Sequence, residues 1–241
     1  MAAGSYKTSG SIEVALSHSQ YDDFLAGALM GTWTTNVLKV ANVQKAFTFE
    51  EFDNTLNIGR VFTGVEVDSL KLSVKPDATV SAVFALQGRG HSTVTTSIDT
   101  TPTPVIAGKN PMTGALGSLT IDGVAGYVTS IDLSISNSIK MINTIGSTAV
   151  TASTNGQKSI TGSMTVLLSD LTLYNKFIAN TTAALVFVIS DGTNQYTFSV
   201  PKCGITKANA SADSADERVL SIDFEALYDT TLASIMSITR T

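Results

Sequence analysis

Cysteine is almost missing from this chain. Cys203 stands alone, so no disulfide can close within it. Histidine is nearly as scarce, with only His18 and His91. A structural zinc site takes about four ligands, commonly His and Cys, and these three residues cannot be grouped by spacing. No metal site is expected, and Cys203 reads as a buried, unreactive thiol. Charge is thin too: 15% of residues carry one, against a usual ~25%. The 15 basic residues are scattered singly, and the net charge is −5. Without a Lys/Arg stripe, tight phosphate binding is not expected, although an acidic protein can surround DNA without gripping it. Long apolar runs are lacking as well. The longest, Ala183 to Ile189, is far too short to span a bilayer, and no membrane partner is expected. The first residues have neither the basic nor the apolar region of a secretion signal, which fits synthesis in a reducing cytoplasm.

Catalytic signatures are also missing. There is no Gly-x-Ser-x-Gly elbow. Ser17-His18-Ser19 has the ingredients of a nucleophile and a base, but its repeat, Ser169-Asp170-Leu171, replaces the histidine. Asp22-Asp23 and Glu50-Glu51 are adjacent pairs. Adjacent side chains on a helix or strand point in different directions, so neither pair forms an acid/base dyad by itself. Ala107 to Gly114 holds a Gly-Lys without phosphate-loop spacing. No catalytic residue, cofactor-binding residue or metal ligand is assigned, and the chain is not read as an enzyme.

What the chain does contain is a repetition. Ser9 to Phe24 reads SGSIEVALSHSQYDDF, and Thr161 to Phe177 reads TGSMTVLLSDLTLYNKF. Ile12, Val14 and Leu16 alternate with Ser11, Glu13 and Ala15, the period of a strand with one buried face. Met164, Val166 and Leu168 repeat that face. Helical spacing follows each strand. Tyr21, Phe24, Leu25 and Leu29 form one stripe, and Leu171, Tyr174, Phe177 and Ile178 form the other. Ser19 with Asp22 has capping-box spacing, and Ser169 or Asp170 takes the same place in the second copy. The Tyr and Phe residues of both stripes are expected to pack in the core. Downstream, Val80-Ser81-Ala82-Val83-Phe84 corresponds to Leu220-Ser221-Ile222-Asp223-Phe224. The expected unit is strand, short helix, several strands and a closing strand, written twice.

Further strands are plain in Leu70/Leu72/Val74, Ile131/Leu133/Ile135 and Tyr196/Phe198/Val200. Asp191-Gly192 marks a hairpin turn. Leu185 to Ile189 is apolar on both faces, so the strand is expected to be covered twice. Arg89 to Gly117 is rich in Thr, Pro and Gly and lacks sustained periodicity. The expected division is a first β lobe over 1–88, a connector over 89–116 and a second β lobe over 117–241. About 45 residues precede Gly162 within its lobe, whereas nine precede Gly10. If the lobes are equals, the first lacks strands at its start. A segment upstream of Met1 is the favoured source of these strands, and another chain is the alternative.

Five blocks carry a resemblance to a known family. Gly10 to Trp33 looks like the start of the conserved region in tail tube proteins of long, non-contractile-tailed bacteriophages. Val128 to Ile139 resembles their mid-chain strand ending in Asn. Ile160 to Phe177 and Tyr196 to Thr206 match later blocks, and Leu220 to Asp229 resembles the closing one. The resemblance implies a mainly β fold, a tail-tube-type β-sandwich or β-barrel with flanking short helices, here duplicated into two tube-like lobes. It implies a structural virion protein whose rings stack into a hollow tube. Its partners would be itself, the tape-measure protein and transiently phage DNA in the lumen, and tail terminator and tail tip proteins at the ends. Such rings present six lobes, so a trimer with pseudo-sixfold symmetry is favoured over a hexamer.

Scarce charge fits this reading, because much of the surface becomes interface. Open sheet edges also fit, since neighbours in a closed ring pair them. The alternatives are a tube of a contractile tail or secretion-like machine, which a sheath partner would distinguish, and a carbohydrate-binding β-sandwich. The latter needs exposed aromatics on one face, and the chain has one Trp. A hydrolase on a β scaffold would need converging polar groups, which are not evident. The connector 89–117 and the polar stretch 207–218 are the candidates for ring-to-ring contact.

Overall fold

The structure is a computed structural model that describes residues 7–102, 109–168, 171–211 and 218–241. In chain order its elements are β1 Thr8–Ala15, α1 Asp22–Ala28, β2 Val37–Lys39, β3 Phe47–Asp53, β4 Ile58–Val74, β5 Ser81–Gly88 and β6 Gly90–Val94. They continue with β7 Thr113–Ile121, β8 Val124–Ala125, β9 Val128–Ser136, β10 Lys140–Ile142, β11 Ala152–Thr154 and β12 Ser159–Leu167. The last are α2 Thr172–Ile178, β13 Thr182–Ser190, β14 Gln195–Ser211, β15 Val219–Ala226 and β16 Ser237–Arg240. The fold is mainly β, as expected. All the long strands belong to one antiparallel sheet, and β10 and β11 form a separate hairpin.

The two long strands β4 and β14 organise it. The second half of β4 pairs with β5 and β9, while its first half pairs with β3 and β6. The second half of β14 pairs with β15, while its first half pairs with β13 and β16. Each long strand therefore passes from one layer of a sandwich to the other. A run of seven neighbours, β1-β5-β4-β9-β12-β15-β14, makes the first layer. Leu70, Phe84, Leu133, Met164, Ile222 and Phe224 are all buried and belong to one continuous core.

The duplication is written in the irregularities. Along β4 the pairing slips between Val67 and Ser69, with Asp68 as the extra residue. Along β14 it slips between Ile205 and Lys207, with Thr206 extra. A second slip opposes Phe47–Phe49 to Val65 and Phe62, and its twin opposes Ala183–Leu185 to Cys203 and Val200. A β-bulge bends the strand at a defined point, so both halves turn between layers at the same two places. These registers equate Val67 with Ile205, Phe84 with Ile222, and Leu86 with Phe224. That differs by two residues from the correspondence read in the sequence, which equated Phe84 with Phe224. A slide of two preserves the buried face, so alternation alone cannot detect it.

Other expectations change locally. Ser19 does not cap α1. Its φ is 64°, the N-cap position is Tyr21, and no side chain caps the helix. The Ser19 amide instead donates to the Tyr196 hydroxyl at 2.8 Å. Ser169 and Asp170 lie outside the described residues. The segment expected to connect the lobes holds strand at both ends, because β6 pairs with β4 and β7 with β13. The polar stretch from Lys207 continues as strand to Ser211, where pairing with β15 supplies the order that its composition does not. The stripe on α2 divides: Tyr174 and Phe177 pack on the core, but Leu171 and Ile178 are 57% and 66% exposed. On β13, Leu185, Phe187 and Ile189 are buried, and Val186 and Val188 are half-buried on the other face. The Phe187 ring stacks on Phe198 with centroids 4.6 Å apart.

Gly10 and Gly162 begin the repeated blocks but meet different surroundings. A Cβ at Gly162 would lie 2.4 Å from the Phe224 ring and 2.7 Å from the Asp132 carbonyl of β9, whereas one at Gly10 meets nothing within 4 Å. Gly162→Ala is expected to lower unfolding stability by about 1–3 kcal/mol, the cost of overpacking. Gly10→Ala is expected to leave the unassembled chain unchanged. Denaturant midpoints of the two variants check this, and equal losses would contradict it.

Candidate assembly edges and the polar face of the sheet

Seven strands side by side expose one face away from the core. Alternate residues of β4, β5, β9, β12, β14 and β15 stand on it. Lys71, Ser81, Asp132, Ser134, Ser163 and Asp223 line a concavity of about 630 Å³ there. A hollow on the face of a single sheet means that the sheet curls around it. Between the charges the face is mostly hydroxyl. Glu13, Asp132, Asp223 and Glu225 stand against Lys71 and Lys207, an acidic excess. Lys207 and Asp223 are 3.9 Å apart and well exposed, so their attraction is weak. The face offers many small polar contacts and no concentration of positive charge.

The two ends of this layer are unpaired edges. Among the described residues, β1 pairs only with β5, and Lys207–Ser211 of β14 pairs only with β15. Their counterparts inside the chain are both paired, and by one strand. β9 hydrogen-bonds to β12, the counterpart of β1, from Val128 to Ser136. Its other edge bonds to Ser69–Val74 of β4, the counterpart of 207–211. Beside β1 lies an apolar cavity of about 420 Å³ bordered by Ile12, Phe49, Phe62, Val65 and Leu86. Its counterparts in the second lobe, among them Met164, Leu185, Val200, Cys203 and Phe224, are buried, and β7 and β9 flank them. Among the described residues, the first lobe is thus open where the second is closed.

The joint between the lobes is held by buried polar groups. Asn137, fully buried at the end of β9, donates through Nδ2 to the carbonyls of Ala28 at 3.0 Å and Val67 at 2.9 Å. Its own amide donates to the carbonyl of Asp68, the bulge residue, at 2.8 Å. The Ile139 amide donates to the Asp68 carboxylate at 2.7 Å. One asparagine therefore ties α1, β4 and β9 together. At the start of α1, Asp22 reaches the other lobe. It accepts from the Tyr196 hydroxyl at 2.5 Å and pairs with Arg240, whose guanidinium lies 4.7 Å from the Trp33 ring centre. Burial first, then the bond to Asp22, drives the Tyr196 hydroxyl far above its ordinary pKa, so it remains a donor. The sequence carried a sign of Asn137, a polar residue closing an alternating run. It carried none of Asp22, Tyr196 and Arg240 meeting, because their partners are more than 170 positions apart.

Below the joint, Glu66 is buried and paired to Arg89 at 3.0 Å and to Ser153 of β11 at 2.5 Å. This anchors the β10–β11 hairpin to the first lobe. The reactive residue types are dispersed. Cys203 is buried, donates to the Ala183 carbonyl at 3.0 Å and has its thiol pushed up to about 11, chiefly by burial. His18 packs on Tyr196 and His91 on Phe62, in different lobes. Glu50 holds Ser97 and the Ile98 amide, while Glu51 faces Arg60. Asp22 is engaged at the joint. No group of three or more His, Cys, Asp or Glu converges as a metal site among the described residues, and none of their helices is long and apolar enough to cross a membrane.

A family model described as phage tail tube protein matches residues 1–226. A search of curated proteins finds no match.

His18 has a buried Nε2 without a hydrogen-bond partner. Burial, with Lys109 next, holds its pKa below the ordinary 6.5. The unfolded chain takes up this proton first as pH falls. Its contribution to stability is therefore full above about pH 6.5 and is lost below it. In His18→Gln the melting temperature is expected to fall less than in the wild type between about pH 7 and 5. Parallel curves would contradict a half-buried His18 kept neutral by the fold.

Proposed function

The chain belongs to the phage tail tube protein family, and we propose that its copies close into rings that stack as the tube of a long non-contractile tail and conduct DNA. The supporting observation is the pair of unpaired edges at the two ends of one curled layer. Identical chains arranged around an axis bring the 207–211 edge of each copy to the β1 edge of the next. Cyclic symmetry then ends lateral growth. Because β4 and β12 both run antiparallel to β9, they are parallel to each other, and the facing edges β14 and β1 are parallel likewise.

Strand spacing argues for three copies. Seven strands per chain, at about 4.8 Å each, give three chains a circle roughly 30 Å across between backbones and six chains roughly 60 Å. A DNA duplex is somewhat wider than twice its ~8 Å groove depth, roughly 20 Å. Three chains of two lobes enclose it closely, with pseudo-sixfold symmetry. The concave face becomes the wall. Its hydroxyls and acidic excess repel phosphate weakly, so the duplex slides, whereas a basic wall would hold it. During assembly the same lumen houses the tape-measure protein, and terminator and tip proteins close the ends of the stack. The tail belongs to a virion made in the host cytoplasm, and the role is structural, without catalysis.

Negative-stain microscopy of the purified protein is the test. Rings or tubes about a hundred ångström across are expected, in line with ring-forming domains of this size, with three copies per ring by mass. Dispersed monomers at every concentration would overturn the ring. A sheath protein bound along the tubes would move the assignment to a contractile tail.

A further inference from the structure

We infer that the exposed face of α2, carrying Leu171, seats on Ile58 of the neighbouring copy, in the place that the start of α1 takes on Tyr196 inside the chain. This rests on the ring reading above and specifies the contact between its copies.

The matched bulges equate Ile58 with Tyr196, since Phe62 stands for Val200 and Val65 for Cys203 along the same two strands. Both residues lie just after the turn that starts the long strand. Tyr196 is fully covered. What covers it comes from the other lobe: Ser19, Asp22 and Trp33, all adjoining α1. Ile58 is 57% exposed, and Leu56 beside it 66%. No described residue does for Ile58 what α1 does for Tyr196.

The two helices correspond as well. Tyr21 and Leu171 are their N-cap residues, and Met30 and Asn180, with φ of 47° and 50°, follow their C-caps. Each helix leaves a strand of the inner layer and packs on its own lobe's long strand, α1 on β4 and α2 on β14. Repetition of the lobes around an axis carries α2 to the next copy's first lobe as α1 is carried to the second.

The chemistry changes on both sides of the contact together. Inside the chain it is polar: Asp22 receives the Tyr196 hydroxyl and pairs with Arg240 of β16. At the corresponding places between copies stand Leu171-Thr172, Ile58 and Thr95, where Thr95 continues β6 as Arg240 continues the matched pairs of β16. The carboxylate, the phenol and the guanidinium are all replaced at once. A lone charge left on either side would be buried without its partner. Instead Thr172, in the place of Asp22, and the exposed Leu171 beside it meet an exposed isoleucine. A small apolar contact holds copies together yet leaves each soluble before assembly.

The experiment joins the two residues covalently. Leu171→Cys with Ile58→Cys, in a Cys203→Ala background, is assembled and treated with a short bis-maleimide. A covalent ladder ending at three chains is expected on a denaturing gel, with neither single variant giving it. Rings in the microscope without cross-linked chains would overturn this contact and leave the ring reading standing. Wild-type protein that forms no rings would overturn both. A charge pair gives an independent reading. Ile58→Asp is expected to lower ring yield at least about tenfold, and adding Leu171→Lys to restore it. Loss without restoration would overturn the pairing.

Discussion

Backbone hydrogen-bonding groups at the edge of a sheet must be paired, hydrated or hidden, and this requirement governs the molecule. A sheet of alternating residues buries one face and leaves its two borders as templates for further strands. Inside the chain the problem is solved once, at β9, which bonds to β4 on one side and β12 on the other. The duplication reproduces both neighbours of β9, as β14 and β1, without reproducing β9 between them within the described residues. The chain thus carries a finished joint and, on the proposed ring, the two halves of a second.

The finished joint is also the more polar. Asn137, Asp68, Asp22, Tyr196 and Arg240 connect the lobes by directed bonds in buried or half-buried places. Such groups are costly if left alone, and within one chain their partners are always present. A border that must wait for another molecule cannot hold unpaired ions while it waits. It carries Leu171, Ile58 and the small residues of 208–211 instead, and the one cation of that stretch, Lys207, has Asp223 of its own chain 3.9 Å away. On the proposed ring, the scarcity of charge across the whole chain is the same solution at larger scale, since surface that copies bury is cheaper to dehydrate when it lacks ions. The remaining acidic groups of the curled face stay in water, where they need no partner.

Much of this was legible in the residues. Alternation located β1, the second half of β4, the start of β5, β9, β12, the start of β14 and most of β15, because each has one face in the core, and β13 stood out as a run apolar on both faces. The Gly-Ser block revealed the duplication. The register of the repeat was not legible, because a two-residue slide leaves every apolar side chain on its proper face. β6 and the 207–211 stretch were hidden because their order comes from the strand beside them rather than from their own pattern. Ser19 read as a cap since cap propensity is local, but a distant tyrosine hydroxyl claims its amide. The joint itself was the least visible part. Its members are ordinary polar residues, set together only after two lobes have folded.

The central claim is that the borders at β1 and Lys207–Ser211 are completed by sister molecules. Amide hydrogen exchange, followed in dilute chain and in assembled tubes, tests it most directly. The amides of Thr8–Ala15 that point away from β5, and those of 207–211 that point away from β15, are predicted to exchange freely in the dilute chain and to become protected together on assembly. Protection already present in the dilute chain, or free exchange persisting in finished tubes, would contradict the account.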